Sequence, residues 1–533
     1  MKRCDQQISV NAVWLSAMLA LAALVLFVIR LPGSMQFDSF AFFDTGANLT
    51  IQNLLSRGYR PTVDFAYIYG LLPLAFGHFW FSALGFTPLA CIVAVPVADI
   101  LIVWGMVRFA TALRLNVAGV LLFIAATPYT IPSSYLNLSN LLEAVFLCHA
   151  LAEQARGNRR AALALVTGCA FVKPSMAYVY GFVLLVLMIA GAFRRRTHLL
   201  RRIGSDIYPA VLTGVAMSVL LATMFGVSPL LNSLFPTAGI KIYKAEHFGF
   251  LHEGGRGFWA PSDVHWTYYV SSLAGPWIAG SLFLIAAGLF AAVRLLTTRE
   301  DDERATLISE MVLVCGALHL AFILLFFGNQ WSEVYYFYVL VFGLAAIAQL
   351  GTGSQLVVAA LAVAIPAVVV NKWIIYRLTP AATPVMAGAE APGSTGAPAA
   401  PSSGFTYQLW FTSSPNWETG GLWSSSSERT EWSNVLSLIR GHRAALIVWY
   451  GCADVLFPDF MPPVTAFLVP GVDNPSDLHR KIAQLDTATI VVMPRWQSSL
   501  LDTSPAIGTV VRRNFVKLRE GNQFVIYRRR GGS

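Results

Sequence analysis

Long, nearly uncharged apolar runs follow one another through the first 376 residues, beginning with Val10–Ile29. A helix of about 20 apolar residues crosses a bilayer, and within lipid only helices and closed barrels satisfy their own backbone. Such runs in series commit the chain to a bundle of membrane helices. Composition agrees: 12% of the 533 residues are charged, whereas soluble domains carry about 25%. A net charge of +9 does not point to nucleic acid here, because Lys and Arg gather at the ends of the apolar runs, where the positive-inside rule puts them. The six cysteines (Cys4, Cys91, Cys148, Cys169, Cys315, Cys452) are scattered without a CxxC pair, which argues against a disulfide framework or a zinc site. The N-terminus has the charge pattern of a signal peptide but no small-residue cleavage site, so its run is expected to remain as the first span.

Charge sets the expected topology. With Lys2 and Arg3 inside, the first span exits near Leu31 and the polar segment 32–86 lies outside. The apolar piece 71–84 is short for a span. Reading it as a helix at the outer interface keeps Arg108 and Arg114 inside. Further spans follow at 87–107, 117–135 and 138–155. The stretch 161–193 must cross twice, bending at Lys173-Pro174-Ser175, since proline disfavours helical geometry in the residue before it. Then come 206–226, an outer loop at 227–270, and spans at 271–295, 306–327, 336–350 and 355–376. The expectation is a mainly α, polytopic bundle of about 11 spans, with the N-terminus in the cytoplasm.

The tail is different material. Residues 379–404 are a Pro/Ala/Gly/Ser linker, too poor in large apolar groups to pack. Residues 405–533 suit one small external α/β domain. AALIVWYG and ATIVVMP read as buried strands. SDLHRKIAQL reads as a helix with Ser476 as N-cap and Leu478, Ile482 and Leu485 on one face. VVRRNFVKLREGNQFVIYRRR reads as two strands about a Gly-Asn turn.

Polar groups collect on the expected outer face. The first segment offers Asp38, Asp44 and Asp64 among aromatics. The loop 227–270 offers Lys241, Lys244, Glu246, His247, His252, Glu253 and Arg256. Glu333 follows the span at 306–327, and Lys173 marks the bend. Acids and bases above an apolar bundle suit a substrate with a phosphate head and a lipid tail, the head held by charge-assisted hydrogen bonds. Each residue also has a plainer use. Asp44 suits an N-cap for the helix that follows, Asp64 a turn, and Lys173 a snorkelling side chain at a helix end. Asp38 reads as solvated, and Glu143 within its span reads as paired or functional. The spacing of Glu246, His247, His252 and Glu253 fits no standard metal site, so no cofactor is expected and a divalent cation lacks support.

The stretch FFDTGANLTIQNLLSRGYRPTVDFAYIYGLLPLAFGHFWFSALG resembles the GT-C glycosyltransferases that use polyprenyl-phosphate sugars, the superfamily of protein mannosyltransferases and aminoarabinose transferases. They are similar in an acid in the first external loop, a following helix with small residues and Leu-Leu, a glycine, and an extended P-x-x-D-F-x-Y-x-Y-G stretch before an interfacial helix. By that resemblance Asp44 matches the catalytic acid, by its spacing to Gly58, and Asp64 the polar position before the interfacial helix. Many members carry Asp-Glu at the first site. Here it is Asp44-Thr45, which speaks against a metal-dependent variant. The resemblance implies transfer of a sugar from a polyprenyl-phosphate donor to a glycan, lipid or protein acceptor at the outer face of a bacterial inner membrane, with membrane lipids as surroundings.

The phosphate leaving group needs cations more than a general acid, for which Arg256, Lys241, Lys244 and Lys173 are candidates. An ordinary aspartate is ionised at neutral pH and can accept the acceptor's proton, and a single carboxylate on the acceptor side implies inversion. Two other functions share this topology. One is a flippase of lipid-linked saccharides, which predicts internal repeats and mid-membrane charges. The other is a non-catalytic assembly protein of the cell envelope.

Overall fold

A computed structural model describes residues 43–85, 88–115, 138–194, 199–235, 288–293, 303–326, 334–349, 426–448, 453–468, 474–495, 498, 500–522 and 524–531. The spans expected at 10–29, 117–135 and 355–376, the linker 379–404 and most of the loop 227–270 lie outside them.

The first polar segment contains two helices, α1 (Phe43–Ser56) and α2 (Leu72–Leu84). Helix α1 stops at Gly58, whose φ of 83° only glycine adopts without strain. There Gly58 N–H donates to Leu55 O and Tyr59 N–H to Leu54 O, which closes the end as a Schellman motif. The bundle continues with α3 (Pro88–Ala112), α4 (Leu138–Ala155), α5 (Arg159–Ala170), α6 (Pro174–Arg194), α7 (Leu199–Phe225), α8 (Val227–Leu234), α9 (Glu303–Phe326) and α10 (Val334–Ile347). Among the described residues three helices are long and apolar enough to cross a membrane, over Pro174–Gly191, Gly204–Phe225 and Arg304–Ala321. On α7, Tyr208, Val211, Leu212, Val215 and Val219 are exposed, an apolar surface suited to lipid. The chain is a multi-pass membrane protein.

Small residues set the closest helix approach. A Cβ on Gly105 would stand 2.3 Å from Cys148 Sγ, so α3 and α4 meet backbone to side chain. Around them Ile102, Met106, Phe109, Leu147, Leu151, Tyr180, Met311 and Tyr338 form one core. One end of the bundle carries a belt of ion pairs. Arg108 bonds Glu153 and, at 2.8 Å, His149 Nδ1; Arg159 grips both oxygens of Glu310 at 2.7 Å; Arg160 meets Asp206. These are the basic turns that the charge pattern assigns to one membrane face.

Helix α5 has 12 residues, about 18 Å of rise, and so covers little more than half of a hydrocarbon layer about 30 Å thick. The span expected at 161–173 is shorter than a full crossing, and the chain from the first polar segment comes to meet its end. Gly70 N–H donates to Val172 O and Leu72 N–H to Phe171 O, both at 2.9 Å. A Cβ at position 70 would lie 2.0 Å from Phe171 O, so this crossing of two backbones requires glycine.

The C-terminal unit holds α11 (Ser426–Ile439), β1 (Ala444–Leu446), α12 (Ala453–Leu456), α13 (Pro475–Thr487), β2 (Ile490–Pro494), α14 (Leu500–Thr503), α15 (Pro505–Asn514), β3 (Phe515–Glu520) and β4 (Phe524–Arg529). The sheet order is β1-β2-β4-β3, with β1 and β2 parallel and the other pairs antiparallel. Strand β2 is buried throughout because both sheet faces are covered, which explains its unbroken apolar run. Ile490 and Val492 pack with Val435 and Ile439, while Val491 and Met493 pack with Leu485, Ile507 and Val511. Two local expectations are corrected. The N-cap of α13 is Asn474, whose Oδ1 accepts from Ser476 N–H at 3.0 Å. Residues 510–514 end a helix instead of beginning a strand: Pro505 opens it, Ile507 and Val511 share its buried face, and Arg512 and Arg513 suit its C-terminal dipole.

Candidate functional site

The first polar segment, the Lys173 turn and the C-terminal unit meet at one end of the bundle. Helix α1 buries Ala47, Leu49, Ile51 and Leu54. The amide of Gln52 on the same helix donates to Leu74 O of α2 at 3.1 Å. Asp44 sits in the first turn of α1, eight residues before Gln52 and so about 12 Å along the axis.

Beyond Gly58 the chain makes a tight turn. Thr62 has φ of 63°, uncommon for a β-branched residue and a conformation that persists where its surroundings fix it. Thr62 N–H donates to Phe65 O and Asp64 N–H to Arg60 O. Asp64 Oδ2 accepts from Arg60 N–H at 2.8 Å and from Nε at 3.0 Å, and the side-chain bond from this guanidinium holds its carboxyl below the ordinary range. The structure thus gives Asp64 a turn-closing part.

Lys173 follows the backbone crossing at Gly70. It is buried, with Nζ 3.1 Å from Glu143 Oε2 and donating to Asn140 Oδ1 at 3.0 Å. Tyr338 hydroxyl donates to the other Glu143 oxygen at 3.2 Å. Glu143 is therefore a paired acid between α4, the Lys173 turn and α10. Asp38, Lys241, Lys244, Arg256 and Glu333, with the Glu246–Glu253 cluster, lie outside the described residues.

Sequence reasoning missed the contribution of the C-terminal unit. Asp477 Oδ2 accepts from Ala66 N–H at 3.0 Å, and Asn474 Nδ2 donates to Val63 O at 2.7 Å. Arg57 Nη1 donates to Pro463 O at 2.6 Å. The guanidinium of Arg480 lies 5.0 Å above the Tyr59 ring and that of Arg57 5.5 Å from it, in cation–π range. Ala466 and Phe467 complete an apolar cluster with Phe65, Leu71, Leu221 and Leu230. On α13, beside the apolar positions the sequence indicates, Asp477, Lys481 and Gln484 are also buried. Lys481 Nζ donates to Leu446 O and Gln484 Oε1. Burial pushes Lys481 down to about 8 and the neighbouring Asp454 up to about 6.

With this architecture assembled, the chain is similar over almost its whole length to a solved structure. The crystal structure of ArnT from Cupriavidus metallidurans bound to undecaprenyl phosphate is 12% identical to the chain, with a TM-score of 0.50 and coverage of 96% of this chain and 97% of that one. The fold is of the GT-C type. No known family pattern and no curated protein matches the chain. The match to ArnT spans both the bundle and the C-terminal unit.

Proposed function

We propose that the protein is a membrane glycosyltransferase that moves a sugar from a polyprenyl-phosphate donor to a glycan, lipid or protein acceptor at the outer face of a bacterial inner membrane. The observation that carries this reading is the near end-to-end likeness to a structure that holds undecaprenyl phosphate. The meeting of the first polar segment with the Lys173 turn supports it, because it brings a polar segment against the end of an apolar bundle.

In this reading Asp44 takes the proton of the acceptor hydroxyl as it attacks the anomeric carbon, and the polyprenyl phosphate departs with inversion. Lys241, Lys244 and Arg256 neutralise the leaving phosphate. Lys173 and Glu143 together carry no net charge, so the larger share of that neutralisation falls to the loop cations. Asp64 and Glu333 are assigned to substrate contact in this reading, and no step calls for a metal.

The test is transfer from radiolabelled polyprenyl-phosphate sugars in membranes, comparing wild type with Asp44→Asn. Loss of a general base costs about 10²–10⁴-fold in rate. A correctly inserted variant that transfers at the wild-type rate would remove Asp44 from this role.

A further inference from the structure

We propose that the C-terminal α/β unit is a clamp on the first polar segment, with Asp477, Asn474 and Arg480 as positioning residues for the turn at 59–67. The effect on transfer rests on the glycosyltransferase reading; the clamp itself does not.

The bonds by which the turn closes on itself, including those of Asp64 with Arg60, leave Val63 O and Ala66 N–H to partners outside it. Thr62 holds a left-handed backbone, and the bonds internal to the turn engage Thr62 N–H and Asp64 N–H. Val63 O and Ala66 N–H, on either side of Asp64, are met by side chains of Asn474 and Asp477 at the start of α13. Asp477 is 1% exposed, and a buried carboxylate is stable only when its oxygens are bonded. One oxygen takes Ala66 N–H, and the other takes Arg480 Nη2 at 3.2 Å. Arg480 then rests on Tyr59, so both ends of the turn are gripped by the first two turns of α13.

The apolar cluster around Phe467 and Phe65 favours association but is non-directional. The hydrogen bonds are what fix one register of turn against helix. From Ala66 the chain runs to the Gly70 crossing at Val172, one residue from Lys173. Loosening the turn therefore loosens the approach of the whole segment to the bundle.

The experiment uses the full chain in lipid nanodiscs. Asp477→Asn places an amide donor against either Ala66 N–H or Arg480. Asn474→Asp keeps the helix cap but removes the donor to Val63 O. Hydrogen exchange is followed over residues 60–70 and, as an internal control, over β2 and β4. In both variants exchange over 60–70 rises roughly tenfold while β2 and β4 keep their protection, as expected when local opening is eased and the domain stays folded. With radiolabelled polyprenyl-phosphate sugar, kcat falls about tenfold while KM for the donor moves far less, as for loss of an interaction that matters in the transition state.

Unchanged exchange over 60–70 in both variants overturns the clamp. Faster exchange with unchanged kcat overturns the positioning role. If Asp477→Asn also unprotects β2, the exchange of Asn474→Asp decides between clamp and no clamp. A wild-type chain without transferase activity refutes the function proposed above, and the exchange measurement then decides the clamp by itself.

Discussion

Lys173 shows how one side chain ties several elements together. Its ammonium reaches Glu143 and Asn140 on α4, while Tyr338 on α10 bonds the same carboxylate. Both charges of the pair are buried. Removing one partner from a buried pair leaves an uncompensated charge and costs about 3–5 kcal/mol, whereas replacing both by neutral groups is often nearly neutral. Lys173→Met is thus expected to lower the thermal midpoint of the bundle sharply, and Glu143→Gln combined with Lys173→Met to recover most of it. Additive losses in thermal scans of the detergent-purified chain would show that the pair is not coupled. The two residues were legible unequally. Proline at 174 exposed the bend at Lys173, whereas Glu143 read as paired or functional with no partner identifiable, because its partners come from elements far apart in the chain.

At the level of elements, helices were readable wherever a break had a chemical sign, such as Gly58 after α1, Gly85 after α2 or Pro174 at the start of α6. Strands β1 and β2 were readable because burial on both faces leaves an apolar run. Helix α13 was half readable. Its apolar face follows helical spacing, but nothing local reveals that Asp477, Lys481 and Gln484 are buried too, since their partners Ala66, Leu446 and Pro462 lie elsewhere in the chain. The segment 510–514 misled because Val-Val before two arginines suits a strand as well as a helix end.

The covered polar stripe has a pH signature. Burial raises Asp454 from the ordinary 3.8 to about 6, so between those values the folded domain binds more protons than the unfolded chain, and stability falls as pH rises through that window. Lys481, lowered to about 8, stays charged there and gives the opposite slope only above that value. The C-terminal unit of wild type should therefore lose thermal stability between about pH 4 and pH 6 relative to Asp454→Asn, measured as the difference in unfolding midpoint. A difference that is flat with pH would show that Asp454 does not titrate in that range.

Across the whole molecule, the turn at 59–67 has a bundle on one side and the last part of the chain on the other. Ending the chain before Ser426 removes Asp477, Arg480 and Phe467 together. Trypsin should then cut at Arg57 much faster than in the full chain, because Arg57 loses its neighbours in the C-terminal unit; the bond after Arg60 precedes Pro61 and is not a tryptic site. Equal cleavage of the two chains, read on a gel, would show that the turn stands unaided. This long-range pairing also bears on how the protein is made. A ribosome releases the chain from its N-terminus onward, and domains generally fold as they emerge. The contacts from residues 57–66 to residues 463–480 cannot form until nearly the whole chain has been translated and its last segment delivered to the same side of the membrane. Helix insertion alone then yields a protein whose first polar segment is unfinished, and abortive products that stop short of residue 480 carry that segment in an unlatched form, open to the proteases of the compartment it faces.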